Sequence, residues 1–281
     1  MEPIFIGIAT ALVTPFTTKQ QVDFPAFRNL IERQIKMQVD ALVVLGTTGE
    51  ISTLSLEERY AVIDCALQTV KGRVPLIFGI GGNDPGNIIA LGQYVAKAAK
   101  STTGKIGIMV TAPYYNKGTP DGIYAYYQTI TSAVKLPTIV YNIPGRTSVN
   151  ITPENMARIA ALPFVAGIKE ASGDLHQITQ TVRLCPDVAV YSGDDTLALP
   201  AYAVGCRGII SVASNLDVAP IRQIWQLYHD GKPESALKHF QDELPFYQSL
   251  FHVVNPIPIK FELAKRGLIK NVLRLPLLPI Q

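Results

Sequence analysis

The chain has 281 residues, 48% hydrophobic and 17% charged, with 25 Lys and Arg against 22 Asp and Glu, for a net charge of +3. So apolar a chain is not disordered, and so even a balance of charge builds no field that would gather nucleic acid or an anionic membrane surface. The length admits two domains of about 150 residues, or one α/β barrel of about 200 to 250 residues with a short appendage.

The start, Met1-Glu2-Pro3-Ile4-Phe5, lacks the basic region and apolar core of an export signal, and no window reaches the roughly 18 uninterrupted apolar residues of a membrane span. Eight short β-branched or apolar runs then follow, at residues 4–13, 41–45, 74–80, 107–111, 137–141, 164–168, 188–191 and 208–212. They are continuous rather than alternating, as expected of strands buried on both faces. Between them lie segments of helical spacing with good caps, such as 23–37, 55–70, 87–100 and 152–162; in the second, Ser55 with Glu58 forms a capping box. Strand then helix, eight times over, predicts an α/β fold, the (β/α)8 barrel.

After residue 212 the rhythm changes. Segments 217–228, 233–251 and 256–266 read as successive helices, which places a barrel at residues 1–224 and an α-helical C-terminal region at 225–281. A doubly wound open sheet is the second architecture, but Gly79-Ile80-Gly81-Gly82-Asn83-Asp84 fails the last position of G-x-G-x-x-G. Cys65, Cys185 and Cys206 stand far apart, arguing against disulfides or zinc and for small buried hydrophobes in a reducing cytoplasm.

A barrel of this kind carries its active site at the carboxyl ends of the strands. Those ends hold Gly46-Thr47-Thr48-Gly49-Glu50, Pro113-Tyr114-Tyr115-Asn116, Tyr141-Asn142-Ile143-Pro144-Gly145-Arg146, Lys169-Glu170, Ser192-Gly193-Asp194-Asp195 and Ser211. Lys169 closes an apolar run, where desolvation favours its neutral amine, a nucleophile that forms Schiff bases with carbonyls. The competing reading is a strand-end lysine paired with a carboxylate such as Glu170. Schiff-base chemistry must move several protons, and Tyr141, Thr48 and Tyr115 offer a chain of hydroxyls for them. Thr47 and Thr48, between glycines, suit a turn that holds a carboxylate, and Arg146 suits a bidentate clamp on a second one.

Other chemistries find little footing. His176, His229, His239 and His252 fall outside the strand ends and show no metal-ligand spacing, and no nucleophile elbow, Walker A loop or His-Glu-x-x-His helix occurs. Asp194-Asp195 could hold Mg²⁺ or cap the following helix.

The segments Ala9-Thr10-Ala11-Leu12-Val13-Thr14-Pro15-Phe16, Gly46-Thr47-Thr48-Gly49-Glu50, Pro113-Tyr114-Tyr115-Asn116-Lys117, Tyr141-Asn142-Ile143-Pro144-Gly145-Arg146-Thr147 and Gly167-Ile168-Lys169-Glu170 together resemble the dihydrodipicolinate synthase and N-acetylneuraminate lyase superfamily of class I aldolases. The resemblance runs in order from near residue 4 to Pro279. It implies a homotetramer or homodimer with no cofactor or metal beyond a covalent lysine imine with pyruvate. Within the superfamily the likeness is strongest to enzymes that condense pyruvate with L-aspartate 4-semialdehyde on the route to lysine and diaminopimelate.

By the same resemblance Lys169 forms the imine, Tyr141 donates and accepts protons, and Thr48 and Tyr115 complete the relay, Tyr115 from a neighbouring subunit. Thr47 and Thr48 hold the pyruvyl carboxylate, Gly193 and Ile210 contribute to the substrate site, Ile210 through its backbone, and Arg146 receives the carboxylate of the semialdehyde. Arg146 argues against a sialic-acid lyase. The alternatives are a lyase or keto-deoxy sugar acid aldolase of the same superfamily, and a barrel that only binds. Two departures stand out: Gly118 follows Lys117, with the proline delayed to Pro120, and Ile51, Leu56, Arg59 and Asn87 occupy positions where lysine-inhibited relatives carry polar or acidic groups. The latter implies weak or absent feedback by L-lysine.

Overall fold

Eight parallel strands close on one another in a computed structural model that describes residues 1–280; Gln281, the end of the expected tail, lies outside the described residues. The strands are β1 (Gly7–Ala11), β2 (Ala41–Val44), β3 (Leu76–Gly79), β4 (Ile106–Thr111), β5 (Thr138–Asn142), β6 (Val165–Glu170), β7 (Ala189–Ser192) and β8 (Gly208–Ser211). Each bonds to the next, and β8 returns to β1 with Gly7 beside Gly208. The (β/α)8 barrel expected from the eight runs is the fold observed.

The first run is longer than its strand, because Ile4 and Phe5 turn inward to plug the lower end of the lumen. Phe5 stacks on Tyr191 with ring centroids 4.2 Å apart, and the Tyr191 hydroxyl donates to the Phe5 carbonyl at 2.8 Å. Helices follow the strands as the spacing required. Ser55 and Glu58 cap Leu56–Val70 reciprocally, and Asp84 caps Pro85–Ala99. The delayed Pro120 opens the helix Pro120–Val134, with the Thr119 hydroxyl accepting from Gly122 N–H, so it serves that cap rather than the loop before it.

One irregularity aims the site. Between β5 and β6 the register slips, so that Thr138 lies beside Val165 but Ile139 beside Gly167. Ala166 joins the lumen cluster, and a Cβ on Gly167 would meet the Tyr191 ring at 2.9 Å and Ile139 at 3.5 Å, two members of the same cluster. Two successive residues therefore face inward, and the alternation beyond them sends Ile168 out, Lys169 in and Glu170 out.

The helical region after the barrel begins within Ala219–His229, a helix that crosses residue 225, and continues through Pro233–Ser249 and Ile257–Lys265. Its last part straps back over the mouth. Lys260, fully buried, forms an ion pair with Glu50 and donates to the Val272 carbonyl at 3.0 Å, with its ammonium 4.1 Å from the centroid of the Phe16 ring. Arg274 adds its backbone N–H to Glu50 at 3.3 Å and its guanidinium to Glu58 and to the Thr53 carbonyl at 2.7 Å. No helix among the described residues is long and apolar enough to cross a membrane. A buried pair broken on one side leaves an uncompensated charge, so Glu50→Gln is expected to cost roughly 3 kcal/mol in urea unfolding; a loss below about 1 kcal/mol would mean that water reaches Lys260 and that the strap is not dry.

Candidate active site

Lys169 ends the inward row of β6 and is only 6% exposed. Register places it directly beside Tyr141 of β5, its ammonium nitrogen 4.3 Å from the centre of the phenol ring. The competing pairing with Glu170 is not made. Glu170 faces the helix layer, where Asn142 at 3.1 Å, Gln177 at 3.1 Å and the Ser172 N–H at 2.8 Å satisfy its carboxylate. Lys169 forms no ion pair among the described residues. Burial is the largest influence on the amine and brings its pKa down to about 8; the Asp195 carboxylate pulls the other way and the Arg146 charge adds to the lowering.

Tyr141 is pushed up to about 12 by the same burial, against the pull of the Arg146 charge and the Thr47 side chain. It is thus a protonated phenol beside an amine that titrates near neutrality. Which threonine serves the phenol differs from the sequence reading. Thr47–Gly49 is a 3₁₀ turn, in which neighbouring side chains diverge by about 120°, so only one of two successive threonines can face Tyr141. That one is Thr47. The Thr48 hydroxyl, buried, accepts from the Asn255 side-chain amide at 3.0 Å.

Arg146 stands in the short helical turn Pro144–Thr147, exposed at the mouth, and donates to the Asn255 backbone carbonyl at 2.8 Å. Thr47, Arg146, Met109, Thr111 and Tyr114 line one cavity of about 480 Å³. Ile210 fills the lumen with its side chain. Gly193 sits against the lysine: a Cβ there would meet Lys169 Cε at 2.8 Å, so the glycine makes room for the nucleophile's stem.

Tyr115 is not brought to the site within one chain. It is 87% exposed, with φ at 66°, a left-handed conformation that is uncommon for an aromatic residue. Of the two roles weighed for Asp194 and Asp195, the cap is the one the structure places, on Asp194. Asp194 caps the next turn, accepting from Thr196 N–H at 2.8 Å, while Asp195 is buried and accepts from Val212 N–H at 2.9 Å and Ala213 N–H at 3.1 Å. No group of three or more metal-binding side chains occurs among the described residues. The three cysteines are free and buried, and burial lifts Cys185 to about 11 and Cys206 to about 12, as inert core thiols. Asn255 and Lys260 went unseen in the sequence because each is tied to the site by contacts that span more than a hundred residues.

The model of the dihydrodipicolinate synthetase family matches residues 4–281. The 4-hydroxy-tetrahydrodipicolinate synthase of Bacillus subtilis is 42% identical over 278 residues, covering 98% of this chain and 94% of that protein. That of Alkaliphilus oremlandii is 43% identical over 279 residues, covering 99% and 94%. Among solved structures, dihydrodipicolinate synthase from Thermotoga maritima superposes with a TM-score of 0.93 at 38% identity, over 99% of this chain and 94% of that one. A monomeric dihydrodipicolinate synthase variant gives 0.94 at 38% identity, over 99% and 92%.

Only the neutral amine of Lys169 attacks, so capture of a keto acid is expected to rise with pH through about 8 and to level off above it. A lysine at its ordinary pKa would be only ~0.3% neutral at pH 8. Borohydride trapping of pyruvate across pH 6 to 10 checks this, and a midpoint near the ordinary lysine value would show that the amine is hydrated rather than buried.

Proposed function

We propose, from the premise that the chain belongs to the dihydrodipicolinate synthetase family, that it condenses pyruvate with L-aspartate 4-semialdehyde to 4-hydroxy-tetrahydrodipicolinate through an imine on Lys169. The observation that carries the reading is the inward, unpaired Lys169 set beside Tyr141 by strand register, under a mouth that holds an arginine.

The steps follow from these groups. The neutral amine adds to the pyruvate ketone, forming a C–N bond, and the ketone oxygen leaves as water after gaining two protons. Tyr141 supplies and retrieves protons at this step, with Thr47 beside it. Protonation of the imine nitrogen gives an iminium, loss of a methyl proton from it gives the enamine, and the enamine carbon attacks the aldehyde, whose oxygen takes up a proton. The acceptor's own amine can then displace Lys169 and close the ring. Lys169 is the electron sink throughout, so no cofactor is required. Thr47 and Thr48 hold the pyruvyl carboxylate, Ile210 offers its backbone, and Arg146 clamps the carboxylate of the semialdehyde.

The resemblance gives Tyr115 to the site of a neighbouring subunit, and its exposure leaves it free for that role in a homotetramer or homodimer. The relative described as a monomeric variant shows that this fold also occurs as a monomer. Three free, buried thiols favour the cytoplasm as the site of work.

Arg146→Ala is expected to raise the KM for the semialdehyde by at least about tenfold while pyruvate capture stays within about twofold, since the clamp meets only the second carboxylate. Equal damage to both substrates would make Arg146 a structural part of the mouth. N-acetylmannosamine in place of the semialdehyde should give no turnover, and efficient turnover would favour the sialic-acid branch.

Regulation rests on the outer part of the same cavity. Ile51, Arg59, Asn83, Asp84, Asn87 and Tyr114 line it, and Arg59 is already committed to the Ile51 and Leu54 carbonyls at 3.0 and 3.1 Å. Asp84, the one acidic residue among the lining side chains, caps a helix by accepting from Gly86 N–H at 2.9 Å. That single carboxylate faces the two ammonium groups of a bound L-lysine, so one of them would lack a counter-ion. L-lysine at about 1 mM is therefore expected to leave the initial rate within about twofold, and half-maximal inhibition below that concentration would contradict the reading.

A further inference from the structure

The residue that joins the two carboxylate-holding groups lies in neither of the segments that carry them. Asn255 is 7% exposed and precedes the helix Ile257–Lys265. Its side-chain amide donates to the Thr48 hydroxyl at 3.0 Å, and its backbone carbonyl accepts from Arg146 Nη2 at 2.8 Å. Its own side-chain oxygen is buried and takes no hydrogen bond, so the amide is engaged at one end only, on Thr48.

Hydrogen-bond polarity makes that engagement consequential. A carboxylate only accepts, so a hydroxyl that binds one must present its proton. A buried threonine readily spends that proton on a nearby carbonyl: Thr69 donates to Cys65 at 2.6 Å and Thr147 to Ile143 at 3.0 Å. Thr48 donates to no carbonyl among the described residues, while an amide N–H occupies one lone pair of its oxygen. The tail meets the Gly-Thr-Thr-Gly-Glu turn through Asn255 on Thr48 and through Lys260 and Arg274 on Glu50, so the donor is held by a firmly anchored segment.

We propose that Asn255 is a positioning residue for both substrates, its side-chain amide keeping the Thr48 hydroxyl a donor toward the keto-acid carboxylate and its backbone carbonyl holding Arg146 for the acceptor's carboxylate. This rests on the roles given above to Thr48 and Arg146. The two tasks are divided within one residue: a side-chain change touches the keto acid alone, because any residue at 255 keeps the carbonyl.

The test uses the full-length protein and reads pyruvate affinity as the concentration dependence of borohydride trapping on Lys169, without acceptor, and acceptor KM separately in steady state. Asn255→Ala is expected to raise the pyruvate half-saturation about five- to tenfold, the worth of one aligned hydrogen bond, with acceptor KM within about twofold. Asn255→Asp keeps the size of the side chain and covers the case in which the alanine variant does not fold. Its carboxylate draws the Thr48 proton toward itself, so the expected weakening for pyruvate is at least as large. In a Thr48→Val background, which by itself weakens pyruvate, Asn255→Ala should cost nothing further, because it acts through the hydroxyl already removed. Additive losses, unchanged pyruvate affinity in both Asn255 variants, or equal damage to acceptor KM would each overturn the proposal while leaving Thr48 in place. Normal pyruvate affinity in Thr48→Val alone would instead remove the role given to Thr48, and the proposal with it.

Discussion

A lysine carried into the lumen of a closed barrel, without an ion-pair partner, is the constraint around which the rest of the site is arranged. An ammonium in apolar surroundings is costly, and the chain lessens that cost by letting the amine lose its proton near neutral pH. The position depends on a single irregularity, the register slip between β5 and β6 that turns two successive residues inward. Without it the alternation would exchange the places of Lys169 and Glu170. The glycines at 167 and 193 follow from the same demand, since side chains at either would strike Tyr191 or the stem of Lys169.

The second buried lysine shows what such a group does when it is structural. Lys260 is as deeply buried and also drawn down to about 8, yet it carries Glu50, the Val272 carbonyl and the face of Phe16 around its ammonium. A low pKa alone therefore does not mark the nucleophile. What separates the two lysines is the absence of a carboxylate on one, together with the phenol beside it and an open cavity at the mouth. Lys260 has the complementary task of fixing the turn that bears Thr47 and Thr48, which makes the tail part of the site rather than an appendage to it.

The barrel was legible in the sequence because its strands are continuous apolar runs separated by capped helices, and the site followed from the rule that reactive groups sit at strand ends. Lys169, Tyr141 and Arg146 were found in that way, as residues of unusual type at a predictable place. The order of the two threonines was not legible, since a 3₁₀ turn decides which of two adjacent hydroxyls faces the phenol. Asn255 and Lys260 were also hidden. Asn255 lies more than a hundred residues from Thr48 and Arg146, and Lys260 more than two hundred from Glu50, and amphipathic spacing says only that such residues belong to helices or the loops between them. Asp195 was seen as a possible cap or metal ligand, whereas it is buried in the barrel wall and its carboxylate opposes the lowering of Lys169.

The most direct measurement is the location of the covalent bond. The protein, incubated with pyruvate and reduced with borohydride, is digested and sequenced by mass spectrometry, with Lys169 and Lys260 compared in the same sample. A reduced pyruvyl group is expected on Lys169 and none on Lys260, although both amines are buried and drawn down alike, because Lys260 is held by the Glu50 carboxylate and Lys169 by none. Modification of Lys260 instead, or of neither lysine, would contradict this expectation.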